Sequence, residues 1–399
     1  IPTVSSSEFE KTEKIMIKSD QHSSDISPND AKFETDICEQ IVNLQIKPKP
    51  LISDPVLRIE SLKKQNVETD SHGVLRSPII CVLGHVDTGK TKVLDKLRNT
   101  HVQDGEAGGI TQQIGVTNVP FYAIKESTKN IPNMSDFDFK ITGLSIIDTP
   151  GHFSFRNLRS LGSSLCDMAI LIVDIMHAIE PQTEESIKLL LNKKTPFVVA
   201  LNKIDLIVGW KSIPGKGIEE TLELQSVRTK QHFDDLFRKT FTKFAELGLN
   251  LALYFQKKSH KLYIPAVPTS ALTGDGIGDL IGFICRYSQD YLTKRLAVSK
   301  NLEATVMEVK VIPGLGPTID VILVNGCLNK GARIIVPGID GPIVSQIRAL
   351  LTPQPLKEMR VKGIYIHHES MSVSQGVKIA GPNLDAAIAG FPLFVAQYD

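Results

Sequence analysis

The stretch Gly84-His85-Val86-Asp87-Thr88-Gly89-Lys90-Thr91 sets two glycines with four residues between them, directly ahead of a Lys and a Thr. Paired glycines let a backbone curl until successive amide hydrogens face one point, and the positive end of a following helix adds to the same field. A polyphosphate is the ligand such a loop takes. Lys90 is placed to neutralise its outer phosphates, and the Thr91 hydroxyl to hold a Mg²⁺ ion. The motif requires a strand before it and a helix after it. The apolar run Ile79-Ile80-Cys81-Val82-Leu83 and the helical spacing of Val93, Leu94 and Leu97 supply both.

Three further groups follow in order, each after an apolar run. Asp148-Thr149-Pro150-Gly151-His152 comes after Leu144-Ser145-Ile146-Ile147. There Asp148 suits a carboxylate that anchors Mg²⁺ through water, Gly151 an amide turned to a γ-phosphate, and His152 a side chain beside the attacking water. Asn202-Lys203-Ile204-Asp205 closes the run Pro196–Leu201. The Asp205 carboxylate can accept two parallel hydrogen bonds, from a ring N–H and an exocyclic amine; guanine offers that pair and adenine does not. Lys203 can lay its stem over the base, and Asn202 can tie this loop to the phosphate loop. Ser270-Ala271-Leu272 follows Ile264-Pro265-Ala266-Val267 and offers backbone to the base oxygen. The four groups together make a guanine nucleotide site for GTP and GDP, and Asn-Lys-x-Asp opposes the rival reading of an ATPase or kinase. Between the first two lies Gly105-Glu106-Ala107-Gly108-Gly109-Ile110-Thr111-Gln112-Gln113-Ile114-Gly115. Such a glycine-rich loop can be ordered by a γ-phosphate, with Thr111 completing the Mg²⁺ shell.

Those loops have to be held. Apolar runs alternating with helical segments from residue 74 predict strands at Ile79–Leu83, Leu144–Ile147, Ala169–Val173, Phe197–Leu201 and Ile264–Val267. Near-continuous apolar strands separated by helices mean a parallel sheet covered on both faces, with ligands at the carboxyl ends of its strands. Within 209–262, Phe233, Phe237, Phe241, Phe244 and Leu247 recur every three or four residues, the stripe of a helix packed on the sheet. A helix from about Gly278 to Leu296 closes this part. After residue 300 the period changes to that of strands, at Ala304–Val311, Thr318–Val324, Ala332–Val336 and Ile343–Leu350, with glycine turns between them. The expected fold class is an α/β P-loop GTPase domain with a parallel-rich sheet, followed by a small all-β barrel. The expected division is a largely disordered tail at 1–72, the GTPase domain at 73–299 and the barrel at 300–399.

Composition narrows the class further. With 399 residues, 42% of them hydrophobic, the chain is long enough for two or three domains with sizeable cores. No apolar run approaches the ~20 residues of a membrane-spanning helix, and no secretory leader is visible. The five cysteines are widely spaced, with no Cys-x-x-Cys pair, so a reducing cytosol is the expected setting. Net charge is +1, and residues 1–72 are acidic, with 13 acidic against 9 basic side chains. No extended nucleic-acid-binding face follows from that balance. The chain opens on Ile1 rather than Met, which suggests a fragment or a processed product.

The residues Gly84–Arg98 and His101–Gly115 resemble the eukaryotic and archaeal translation initiation factor 5B family, the counterpart of bacterial initiation factor 2. Asp148–His152 is shared with translational GTPases generally, while Leu161–Asp167 and Asp174-Ile175-Met176-His177 resemble the eukaryotic branch. The resemblance covers roughly residues 74–399. It implies a cytoplasmic, monomeric GTPase, stimulated by the ribosome, that promotes joining of the large subunit in company with other initiation factors. It implies that His152 orients the hydrolytic water, that Asp87 helps hold a monovalent cation, and that the barrel faces the ribosome. The resemblance also implies two further C-terminal domains, absent here, the last of which would recognise initiator tRNA. Phe153 departs from the family, which has Glu there. The alternative to a catalytic output is a nucleotide-dependent docking module in which hydrolysis only triggers release.

Overall fold

The structure, a computed structural model, describes residues 75–98, 115–131, 134, 137–149, 165–256, 262–299, 301–353, 365–372 and 374–396. Its first half is built on a seven-stranded sheet of order β2-β3-β1-β4-β5-β7-β6. The strands are β1 (Ile79–Gly84), β2 (Gly115–Pro120), β3 (Gly143–Asp148), β4 (Met168–Asp174), β5 (Phe197–Asn202), β6 (Leu251–Leu253) and β7 (Ile264–Pro268). All neighbours are parallel except β2, which runs antiparallel to β3. The helices are α1 (Lys90–Arg98), α2 (Phe121–Thr128), α3 (Pro181–Asn192), α4 (Ile218–Glu223), α5 (Val227–Glu246), α6 (Ile277–Tyr291) and α7 (Thr293–Leu296).

Side chains alternate across the sheet, as the period of two requires, and each face has its own core. Ile79, Cys81 and Leu83 of β1 join Leu171 and Val173 of β4 against α3 and α5. Ile80 and Val82 join Ile170 and Ile172 against α1, α2 and α6. The aromatic stripe of α5 packs as its spacing implies: Phe233 and Phe244 are buried, and Phe237 and Phe241 are half-buried against the same core. Full burial of side chains this size contributes about 1.5–3 kcal/mol each.

The second half is all β: β8 (Glu303–Ile312), β9 (Gly316–Asn325), β10 (Cys327–Asn329), β11 (Arg333–Gly338), β12 (Gly341–Gln346), β13 (Ala349–Thr352), β14 (Ile366–His368), β15 (Ser370–Ser372), β16 (Gln375–Ala380) and β17 (Pro392–Val395). Eight of these form one antiparallel row, β12-β11-β17-β8-β9-β16-β13-β14, and β10 pairs β15. The run Ile343–Leu350, which reads as one strand in the sequence, is two. Ile347 N–H donates to Ala332 C=O, and Arg348 N–H donates to Ala380 C=O. The chain thus leaves β11 for β16 between those residues. Since β12 and β13 are consecutive, the row curls into a barrel around Val306, Ile319, Val321, Leu350 and Ile379.

The outer face of β8 and β9 docks on the first half. A register shift between Val306 and Glu308 turns Met307 outward, and Met307 and Ile322 enter the core shared by α3 and α5. Beside it, Arg76 forms a bidentate pair with buried Asp167 at 2.7 and 2.8 Å, and its Nη1 also donates to Ser374 Oγ of the barrel at 3.4 Å. Arg295 Nε reaches the same Asp167 carboxylate at 3.1 Å.

Candidate functional site

The phosphate loop leaves β1 at Gly84, and both space and backbone conformation fix its glycines. A Cβ on Gly84 would meet Ile172 C=O at 2.5 Å; on Gly89, at φ +85°, it would meet Asn202 Nδ2 at 2.5 Å. The loop is tied internally, with Thr88 Oγ1 donating to His85 C=O at 2.8 Å and Lys90 Nζ donating to Gly84 C=O at 3.0 Å. It is also braced from outside: His85 Nε2 lies 2.7 Å from Glu180 Oε2, and Val86 N–H donates to Gln182 Oε1 at 3.3 Å. Asp87 stands at the exposed tip with φ 63°. Thr91 is buried in the first turn of α1.

Asp148 ends β3 in register with Val82 of β1 and is fully buried. Thr149 Oγ1 donates to Val82 C=O at 2.8 Å, fixing the chain as it leaves the strand. Thr91 and Asp148 offer a hydroxyl and a carboxylate, the hard oxygen donors Mg²⁺ takes alongside phosphate oxygens and water. Among the described residues no group of three or more His, Cys, Asp or Glu side chains gathers around a point. The hydroxyl and carboxylate are of the kind that fits an ion completed by a bound phosphate. Thr111, Gly151 and His152, and with them Phe153, lie outside the described residues.

On the other side of the phosphate loop, Asn202 is 1% exposed and both ends of its amide are used. Its Nδ2 donates to Thr88 C=O at 2.7 Å, and its Oδ1 accepts from Ala271 N–H at 3.0 Å. One side chain thus stitches the phosphate loop, the end of β5 and the loop after β7 together. Asp205 lies in a 3-10 turn, Ile204–Leu206, and its Oδ1 accepts from Ser270 Oγ at 2.5 Å. Ser270 N–H donates to Asp275 C=O at 2.9 Å, and Asp275 Oδ2 accepts from Trp210 Nε1 at 3.1 Å. The loop closes at Gly276, where a Cβ would fall 1.9 Å from Pro268 C=O. Ala271 is buried, whereas Leu272 is 67% exposed, so its contribution is confined to backbone.

Sequence reading passed over the side chains that hold these loops. Asp174, the last residue of β4, accepts from Lys203 Nζ at 2.7 Å, and His177 Nδ1 lies 3.0 Å from the same oxygen. Burial pushes the Asp174 carboxyl up, but the hydrogen bonds from Lys203, His177 and Met176 N–H outweigh it and hold the group below the usual carboxylate range. The available signal was a carboxylate ending an otherwise apolar strand, the same pattern as Asp148. Glu180, Gln182 and Asp275 gave no comparable signal. Among the described residues, Cys81, Cys166, Cys285 and Cys327 form no disulfide. A hydrogen bond with Cys166, together with burial, pushes Cys81 well up; burial alone pushes Cys285 up to about 12. Both stay neutral.

A parallel sheet covered on both faces, a glycine loop between β1 and α1, and an antiparallel barrel behind them define a P-loop GTPase fold of the translation-factor type. A family model described as the elongation factor Tu GTP binding domain matches residues 75–290. The chain is 57% identical over 339 residues to eukaryotic translation initiation factor 5B of Homo sapiens, covering 85% of this chain and 27% of that protein. It is 54% identical over 321 residues to the factor of the same name from Saccharomyces cerevisiae, covering 80% of this chain and 32% of that one. A crystal structure of GDP-bound aIF5B from Aeropyrum pernix superimposes with a TM-score of 0.70 at 39% identity, over 81% of this chain and 55% of that one. The chain belongs to the translation initiation factor 5B family of GTPases and spans about a third or less of the length of the eukaryotic curated relatives it matches.

Proposed function

We propose that this chain binds GTP and GDP with Mg²⁺ and hydrolyses GTP on the ribosome while the subunits join. The observation that carries the nucleotide reading is Asn202, whose amide joins the phosphate loop to the base-side loop in one hydrogen-bonded unit. Around that unit the roles divide. The amides of Gly84–Thr91, His85 to Lys90 among them, cradle the phosphates, with the Lys90 ammonium moving from loop carbonyls to the β- and γ-oxygens. Asp205 reads the guanine N–H and amine, held in orientation by Ser270, while the backbone of Ser270, Ala271 and Leu272 faces the base oxygen. Lys203 covers the base plane. Thr91 and Thr111 hold Mg²⁺ directly and Asp148 holds it through water. Bound there, the ion neutralises the charge on the β- and γ-oxygens. His152 orients the attacking water and Gly151 turns its amide to the γ-phosphate.

In this reading residues 73–299 form the catalytic domain and 300–399 the ribosome-facing barrel, with 1–72 as a tail. The partners are ribosomal subunits and other initiation factors in the cytoplasm, with initiator tRNA recognised elsewhere in the longer protein. Asp87, exposed at the loop tip, would help hold a monovalent cation near the phosphates. The test is GTP turnover by the chain alone and with assembled ribosomes, for the native sequence and His152→Ala. Slow intrinsic turnover, ribosomal stimulation and its loss in the variant are expected. Full stimulated turnover by His152→Ala would remove His152 from the chemistry.

A further inference from the structure

We propose that Asp174 is a positioning residue for the base: it fixes the Lys203 ammonium and so sets how long a guanine nucleotide stays bound. The proposal rests on the guanine nucleotide reading given above and deepens it. β4 is apolar throughout, Met-Ala-Ile-Leu-Ile-Val, until it ends in this carboxylate. A carboxylate only 3% exposed is costly unless paired and hydrogen-bonded. The pairing is set by the sheet, since Asp174 lies in register with Asn202 on the neighbouring strand β5, one residue before Lys203.

Lys203 then takes φ 68°, a left-handed conformation uncommon for residues other than glycine. That turn carries its side chain back over the strand end, where Nζ meets Asp174 Oδ2 at 2.7 Å. Met176 N–H donates to the other oxygen, Oδ1, at 2.9 Å. The carboxylate is therefore held from the backbone while it holds the ammonium. Lysine loses rotamer freedom when its stem is laid along a surface. With Nζ already tethered, that freedom is gone before the base arrives, so less of it is lost on binding. His177 Nδ1 also lies 3.0 Å from Asp174 Oδ2, but the route from Asp174 to the base runs through Lys203.

A double-mutant cycle on the full chain separates this from a general role in folding. The readout is the dissociation rate of GDP carrying a fluorescent N-methylanthraniloyl group on its ribose, for the native chain, Asp174→Asn, Lys203→Ala and the double variant. Asp174→Asn is expected to speed dissociation about tenfold. In the Lys203→Ala background the same change is expected to alter the rate by less than about twofold. A tenfold effect that persists in that background, or no effect of Asp174→Asn alone, overturns the proposal. A native chain that does not hold GDP overturns the guanine reading itself, and the proposal with it. Asp174→Glu keeps the charge and shifts it by one methylene; it serves in the same cycle, with the same two outcomes, if melting without nucleotide shows Asp174→Asn to be unfolded.

Discussion

Replacing Asn202 with Ala removes a side chain that joins the phosphate loop to the loop after β7. Two hydrogen bonds are lost, to Thr88 C=O at 2.7 Å and from Ala271 N–H at 3.0 Å. Thr88 is 2% exposed and Ala271 7%, so both backbone groups are left without partners in a dry place. Each such group costs about 1–3 kcal/mol, which puts the loss near 2–6 kcal/mol in all. For a body of this size about 2–4 °C accompanies each kcal/mol, so a fall of about 4–24 °C in melting temperature is expected. Trp210 is the only tryptophan in the chain, and its indole donates to Asp275 behind the base-side loop. Its fluorescence therefore reports on the affected region directly, with and without GDP. The protection GDP gives to the native chain should also shrink, because two loops that now sit in fixed relation would have to be ordered by the ligand. A melting temperature within about 2 °C of the native value would show that the two groups are satisfied by other means, and the stitching argument would fail.

Other expectations follow from single contacts. Asp205→Asn exchanges a double acceptor for one acceptor and one donor, so GTP affinity should fall roughly 30- to 1,000-fold while xanthosine triphosphate, with a carbonyl where guanine has its amine, gains; competition binding checks both. Arg76→Ala leaves Asp167, 2% exposed, with Arg295 as its remaining cationic partner and removes a contact with Ser374. A loss of about 3–5 kcal/mol in urea unfolding is expected, as for a buried pair broken on one side. Because the Asp174 carboxyl sits below its ordinary value, its stabilisation is present in full above about pH 4 and disappears as pH falls through the lower folded-state value. The acid limb of a stability–pH curve should accordingly flatten in Asp174→Asn.

The catalytic-domain strands were legible because parallel strands buried on both faces are written as apolar runs, and Ile79–Leu83, Ala169–Val173 and Phe197–Leu201 are such runs. β2 and β6 were not seen, for opposite reasons. β2 is an edge strand, Gly-Val-Thr-Asn-Val-Pro, with a glycine and a proline in six residues; β6 is three residues long. In the barrel, Ile343–Leu350 reads as one strand because hydrophobicity does not record a change of partner, and the change at Ile347–Arg348 is a property of the closed row. The candidate site divides in the same way. Glycines, Asn202 and Asp205 announce themselves by spacing after apolar runs. Asp174 against Lys203 and Glu180 against His85 are contacts between loops far apart in the chain, which no local pattern encodes.

The central claim is that four loops at the strand ends form one guanine-reading site. It is tested most directly by titrating the chain with GDP, GTP and ATP in the presence of Mg²⁺ and measuring heat. Both guanine nucleotides should bind with one-to-one stoichiometry, and ATP at least 10³-fold more weakly, the discrimination expected when a buried polar site is left unpaired by the wrong base. Equal affinities for GTP and ATP would contradict the role of Asp205, and absence of binding by all three would contradict the site.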